Sequence, residues 1–340
     1  MFESIQWFFQ RAAEYSLASF SSWESFTAAL TKVPRIFTDF SHGFAWPYLL
    51  SSLVVVWVLF VLTKRSGRMH AVSFREFAFP GRLYRHPSTR LDCRFVAIDI
   101  VLFFLLYVPI ITGINLFGCK IMSALIVGSM SWEPPNTLSP ASAVGAAIGF
   151  LMLGDLINYC THVCFHRVPM LWSIHRIHHS AEVLTPVTAY RVHPLELIGF
   201  ALCNAPAIGL ASVFYQNIVG PPLQVATIFG ISIIGLVGSH LRHSHILFSF
   251  GPRLSRIVLS PAQHVIHHSI DAKHWNKNFG VKFAFWDSLF GTLYVPSGNE
   301  PVTVGLQEPE VDKFRTVGDL YLRPFRDIFA DRTLPAERRV

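Results

Sequence analysis

Charge is scarce in this chain of 340 residues. Asp, Glu, Lys and Arg together make up 14% of it, against about a quarter in soluble domains. Hydrophobic residues reach 51% and the mean hydropathy is +0.41. That balance excludes a disordered chain, a coiled coil and a water-soluble enzyme. Cysteine is sparse too: Cys93, Cys119, Cys160, Cys164 and Cys203 form no even framework, which argues against a disulfide scaffold. No G-x-G-x-x-G follows a strand pattern, so no flavin or nicotinamide domain is expected. No His-Pro-Gly-Gly run of a haem-binding electron carrier appears, and no internal repeat. What the chain has in excess is Phe, with 30 residues, and His, with 16.

A membrane-spanning helix needs roughly 20 mostly apolar residues. Candidates run from Phe44 to Thr63, Phe95 to Leu116 and Ser142 to about Cys164. A longer apolar stretch from Leu195 to Ser239, broken at Asn217 and Gly220-Pro221-Pro222, reads as two spans in a hairpin or as two shorter re-entrant helices. The opening segment, Met1 to Phe40, looks like an interfacial amphipathic helix rather than a cleavable signal. Lys64, Arg65, Arg68, Arg75, Arg82, Arg85, Arg90 and Arg94 crowd the loop after the first span, while residues 117–141 hold only Lys120. Positive charge marks the cytoplasmic side. Five spans then place residues 166–194 and everything after about 240 in the cytoplasm, where twelve more Lys and Arg follow Ile246. The net charge of +7 therefore has a topological meaning, and nucleic acid is not an expected partner.

Thirteen of the histidines fall between His162 and His274, and they are clustered. Residues at i and i+4, or at i, i+3 and i+4, project from one helix face. His162/His166 thus makes a two-imidazole face, and His175/His178/His179 and His264/His267/His268 make two identical three-imidazole faces. Protonated, so many imidazoles beside a low-dielectric phase would repel one another. Neutral, they are good ligands for transition metals. One tetrahedral ion takes four ligands, so two ions are the economical reading. Only Glu182, Glu196 and Asp271 supply carboxylates in this window, and the Glu-x-x-His pattern of soluble di-iron bundles is absent. Isolated His42, His70 and His86 read as ordinary polar residues. A histidine-lined transport path would need polar residues at mid-depth in the spans, and these spans are apolar there.

The three boxes and their flanks resemble the fatty acid hydroxylase / sterol desaturase superfamily. The likeness lies in His162-Val-Cys-Phe-His166, Trp172-Ser-Ile-His175-Arg-Ile-His178-His179-Ser, Tyr190-Arg-Val-His193-Pro-Leu-Glu196 and Gln263-His264-Val-Ile-His267-His268-Ser. Asp271 to Gly280 and Phe285-Trp-Asp287-Ser-Leu-Phe-Gly-Thr292 extend it. It covers about residues 140–295. The resemblance implies a membrane-bound non-haem di-iron enzyme that uses O2 and two external electrons to hydroxylate, or less often desaturate, unactivated C–H bonds of lipids. It implies His162, His166, His175, His178, His179, His264, His267 and His268 as iron ligands. Ser239-His240-Leu-Arg-His243-Ser-His245 stands where the family places one or two more; His240 and His243 are expected to serve.

The expected fold is all-α: a polytopic membrane helical bundle with a cytoplasmic histidine-rich dimetal cap. Residues 1–140 would hold the interfacial segment and two spans, 141–295 the catalytic domain, and 296–340 a cytoplasmic tail. His193, His245, Asp271 and His274 are candidates to hydrogen-bond the ligand rings, alongside Asp155, Asn158, Glu182 and Asn276. Trp172, Tyr190, Phe279 and Trp286 are candidates to wall the site. The expected cofactor is a pair of Fe ions. The expected partners are a lipid, O2, and a separate reductase with a ferredoxin or cytochrome b5-type donor, docking on the basic loop or the Arg-rich tail. Desaturation, ether-lipid monooxygenation and non-enzymatic metal binding are the alternatives. A bacterial inner membrane is favoured over the endoplasmic reticulum.

Overall fold

The computed structural model describes residues 14, 17–38, 45–67, 72–127, 140–214, 239–297 and 300–330. Among these residues helices account for the regular structure, with only the isolated bridges Val258/Phe283 and Ser269/Val304 in extended pairing. Four helices are long and apolar enough to cross a membrane: Trp46–Arg65, Pro87–Ile126, Val144–Arg167 and Pro194–Phe214. The chain is a multi-pass membrane protein. The expected fifth span and most of the interfacial segment lie outside the described residues, as do His42 and His70.

We label the main helices α1 (Trp23–Leu30), α2 (Trp46–Arg65), α3 (Pro87–Leu102), α4 (Val108–Val127), α5 (Pro140–Arg167), α6 (Pro169–His179), α7 (Pro194–Phe214), α8 (Pro261–His267), α9 (Phe285–Phe290) and α10 (Val317–Ala330). The second span begins earlier and ends later than Phe95 to Leu116. α3 and α4 are joined by a turn of π-helix at Phe103–Tyr107 into one run of 40 residues. At 1.5 Å per residue that run is about 60 Å long, twice the hydrocarbon thickness, so its Arg-rich start lies beyond the apolar stretch.

The helices sort into two compact units, discontinuous in sequence. One comprises Met1–Arg35, Asp99–Thr161 and Pro194–Ile233. Here α4 and α7 pack at close range, because Gly118 faces Gly209; a Cβ on Gly209 would come 2.4 Å from the Gly118 carbonyl oxygen. Small residues let apolar helices approach and gain dispersion contacts where no hydrophobic drive exists. α5 joins this pair through Phe150 on Phe214, with ring centroids 5.4 Å apart. The Asn204 amide also donates to Asn158 Oδ1 at 2.8 Å.

The other unit comprises Ile36–Ile98, His162–His193 and Ile234–Val340. α2 buries Tyr48, Ser52 and Val56, spaced four apart, and exposes Leu49, Leu50, Leu53, Val54 and Trp57, as a helix flanked by lipid does. Its Lys64 and Arg65 end complements the helix dipole. The C-terminal segment folds back on α6: Arg176 bonds Glu310 at 3.0 Å and pairs with Asp327, and Tyr321 stacks on Phe95 at 4.9 Å.

Two outcomes are expected. Gly209→Val overpacks the α4/α7 contact and lowers stability by about 1–3 kcal/mol, read as a reduced melting temperature in detergent. In a cysteine-free background, an impermeant thiol reagent added to intact cells should label Asn136→Cys but not Arg85→Cys or Asp271→Cys. Both of the latter sites are exposed on the protein, so their labelling from outside would reverse the orientation.

Candidate metal centre

Each imidazole is delivered by a helix end with its own local reason to form. α5 runs 28 residues from Pro140 and brings His162 and His166 in its last two turns. Pro169 then opens α6 at its first position, where a missing N–H costs nothing, and His175, His178 and His179 fill the final turns. α8 starts with a capping box: Ser260 Oγ accepts from the Gln263 N–H, and Gln263 Oε1 accepts from the Ser260 N–H at 2.9 Å. Gln263 also donates to the Ser255 carbonyl at 2.8 Å. That rigid start fixes His264, His267 and His268. A 3-10 turn at Ser239–His243 supplies His243.

Nine histidines form two groups, His162/His166/His175/His179/His267 and His178/His243/His264/His268, with the ligand atoms of each group within 4.8 Å of one another. Neither group contains a carboxylate or a thiol. Each H-x-x-H-H box is divided between them. The i, i+4 pair of α6 (His175 and His179) enters the five-histidine group and His178 the other; for α8, His264 and His268 enter the four-histidine group and His267 the other. The groups touch where His179 stacks on His268 at 4.4 Å.

The geometry fits metal ions rather than a hydrogen-bond network. His243 Nε2 lies 3.0 Å from His178 Nε2, 3.0 Å from His264 Nε2 and 3.1 Å from His268 Nε2. A neutral imidazole carries one N–H, so one nitrogen cannot share a proton with three others. Around a tetrahedral ion at 2.0–2.1 Å, ligand nitrogens sit about 3.3 Å apart, which matches. In the five-histidine group, His175 Nε2 is 3.2 Å from both His162 Nε2 and His179 Nε2. His166 Nε2 and His267 Nε2 are buried without a hydrogen-bond partner, the state expected of lone pairs reserved for a cation.

Burial keeps the rings neutral. It pushes His175 down to about 3. His179, His243, His264, His267 and His268 are held well below the ordinary imidazole range by burial and then by neighbouring imidazoles.

The far nitrogens meet backbone carbonyls. His162 Nδ1 bonds Phe279 O at 2.8 Å, His267 Nδ1 bonds Lys277 O at 2.9 Å and His178 Nδ1 bonds Arg191 O at 3.3 Å. An imidazole that donates from Nδ1 presents the Nε2 lone pair to the metal. Carbonyls from loops do this without burying a charge, and they leave no mark in a sequence. Several of the side chains expected in that role have other partners. Asn158 meets Asn204, Glu182 pairs with Arg315, and Asp271 accepts from the Lys273 N–H. His193 bonds the Tyr321 carbonyl, His245 the Phe77 carbonyl, and His274 bonds Ser269 and Glu300. His240 lies outside both groups, with Nδ1 3.2 Å from Ser52 Oγ on α2. Trp172 and Phe279 do wall the five-histidine group, 5.1 and 5.0 Å from the His166 ring, whereas Trp286 packs on Phe285.

Comparison with known proteins agrees with this geometry. Residues 147–292 match the fatty acid hydroxylase family, the segment that carries the histidine boxes. An alkylglycerol monooxygenase of Caenorhabditis elegans is 24% identical over 180 residues, 51% of this chain and 31% of that protein. A very-long-chain aldehyde decarbonylase of Oryza sativa subsp. indica is 28% identical over 176 residues, 50% of this chain and 27% of the relative. Human cholesterol 25-hydroxylase is 25% identical over 154 residues, 43% and 50% of the two chains. The chain thus spans about a third of the length of the alkylglycerol monooxygenases it matches. No solved structure matches it.

His243→Asn and His267→Ala each remove one lone pair from a group and should cut bound metal to one ion or none. His240→Asn and His245→Asn should keep the full complement. Elemental analysis of purified protein checks all four.

Proposed function

We propose, from a fatty acid hydroxylase domain over residues 147–292, that this chain is an O2-dependent oxidoreductase that hydroxylates an unactivated C–H bond of a lipid. The observation that carries the reading is the division of nine histidines, buried or half-buried, into two groups of ligand-forming nitrogens at the end of a membrane-capable helix. His162, His166, His175, His179 and His267 would hold one iron ion, and His178, His243, His264 and His268 the other. Bound there, the pair supplies activation of O2 with electrons from a separate donor.

The protein's own work is positional. Two buried helix ends, α6 and α8, fix six of the nine rings, and three backbone carbonyls set the tautomers of His162, His178 and His267. Burial disfavours protonation of the ligand nitrogens and keeps water from the centre. Trp172 and Phe279 close one side of the five-histidine group with apolar surface. No side chain of the site is assigned as a general base.

Oxygen insertion beside an ether oxygen is the same C–H chemistry. Similarity to alkylglycerol monooxygenases supports an ether lipid as the second substrate reading. The proposed location is a bacterial inner membrane, with the centre facing the cytoplasm. The donor is a ferredoxin or cytochrome b5-type protein with its reductase.

Lipids extracted from cells supplied with 18O2, with and without the protein, test this reading. A product heavier by one 18O, absent when His267 is replaced by Ala, is expected. Purified chain alone should not turn over with NAD(P)H, and adding a reductase and donor protein should restore product. Unlabelled lipid under conditions where the reconstituted chain is iron-loaded would reject the hydroxylase.

A further inference from the structure

Two carboxylates that contribute nothing to either histidine group lie buried directly behind it. Asp287, on α9, has no exposed surface. Its Oδ1 accepts from the Phe279 N–H at 2.8 Å and the Thr292 hydroxyl at 2.7 Å, and its Oδ2 accepts from the Gly280 N–H at 2.9 Å. The peptide unit between Phe279 and Gly280 therefore has both ends engaged. Its N–H points at Asp287, and its carbonyl accepts from His162 Nδ1 at 2.8 Å. A trans peptide is planar, with N–H and C=O opposed, so fixing the N–H on a buried carboxylate aims the carbonyl at the ring. The contact is tight: a Cβ on Gly280 would come 2.8 Å from Asp287 Oδ2.

Asp92, near the start of α3, does the corresponding work on the other side. It too is fully buried. Its Oδ1 accepts from the Arg191 guanidinium at 2.9 Å, and its Oδ2 accepts from the Thr188 hydroxyl at 2.7 Å. The Arg191 N–H donates to the Thr188 carbonyl at 3.0 Å, so Asp92 grips both ends of one turn. The carbonyl of that turn, Arg191 O, receives His178 Nδ1.

We propose that Asp287 and Asp92 are positioning residues for different ions. Asp287 orients His162 of the five-histidine group through the Phe279 carbonyl, and Asp92 orients His178 of the four-histidine group through Arg191. The inference rests on the two-ion reading of the site. A carboxylate that merely stabilised the fold would weaken both ions alike. A positioning carboxylate weakens one. Loss of partners that orient metal-bound histidines costs about 10–100-fold in affinity.

The test uses the full chain in detergent, stripped of metal and titrated with Co2+, with the ligand-field absorption of the bound ion as readout. His264→Ala leaves the five-histidine group as the binding site, and His166→Ala leaves the four-histidine group. Asp287→Asn should weaken Co2+ binding about 10–100-fold and alter the spectrum in the His264→Ala background, while changing little in the His166→Ala background. Asp92→Asn should give the reverse. Thr292→Val and Thr188→Val remove one hydrogen bond from each carboxylate and should show the same crossed pattern more weakly, including where an Asn variant does not accumulate. Equal weakening in both backgrounds, or none, overturns the proposal. Wild-type chain that binds fewer than two Co2+ overturns the two-ion reading and this inference with it. Two bound ions without the crossed pattern overturn the inference alone.

Discussion

Imidazoles packed with the Nε2 atoms of their close pairs 3.0–3.2 Å apart are the constraint that shapes this domain. Lone pairs crowded so closely repel one another, and burial denies them water. Only a cation between them turns repulsion into binding, so metal affinity and folding are linked. Everything around the centre serves to keep these rings neutral and aimed. Helix ends carry most of the ligands, and four chain segments converge there. The backbone carbonyls of the following loops are then within reach of the far ring nitrogens.

The duplicated H-x-x-H-H spacing acquires its reason from this geometry. On a helix, positions i and i+4 lie nearly above one another, while i+3 lies on the opposite flank of the same stripe. One box can therefore place two ligands on one ion and one on its neighbour. Two boxes running through the site share their ligands in opposite senses, His175/His179 with His267 and His264/His268 with His178. In the proposed two-ion site, both ions would be tied to both helices. α6 and α8 cannot shift relative to each other without disturbing both groups.

Much of this was legible in the sequence, and the illegible part has a physical cause. Side-chain ligands with fixed helical spacing announce themselves, so nine of the ten expected histidines converge. His240 stands outside the two groups, with Ser52 of a distant helix at its Nδ1. The groups that orient the rings were expected among Asp, Glu and Asn side chains near the boxes. Backbone carbonyls took that place. Asp92 gave one overlooked sign: apart from Glu76, it is the sole acidic residue in the Arg-rich stretch from 64 to 94. A lone carboxylate there needs a buried partner, which is Arg191, itself inside a motif quoted for its histidine. The extent of the second span was misjudged for a different reason. Hydropathy marks the apolar part of a helix, and α3 with α4 continues as helix well past it at both ends.

α5 joins the two demands on this protein. From Val144 the helix is apolar enough to sit in lipid, and its last two turns end in His162 and His166. A lipid with an unactivated C–H bond is itself most stable in that apolar phase. Bringing it to a fully aqueous site would cost about 0.8 kcal/mol for each CH2 exposed, more than 10 kcal/mol for a long chain. For the proposed lipid substrate, a ligand pair built into the terminal turns of a span would remove most of that cost, since such a substrate would travel along the membrane rather than out of it. The same position explains the ligand set. Carboxylates at the end of a span would carry their desolvation penalty toward the hydrocarbon, whereas a neutral imidazole brings a strong metal ligand with no charge of its own.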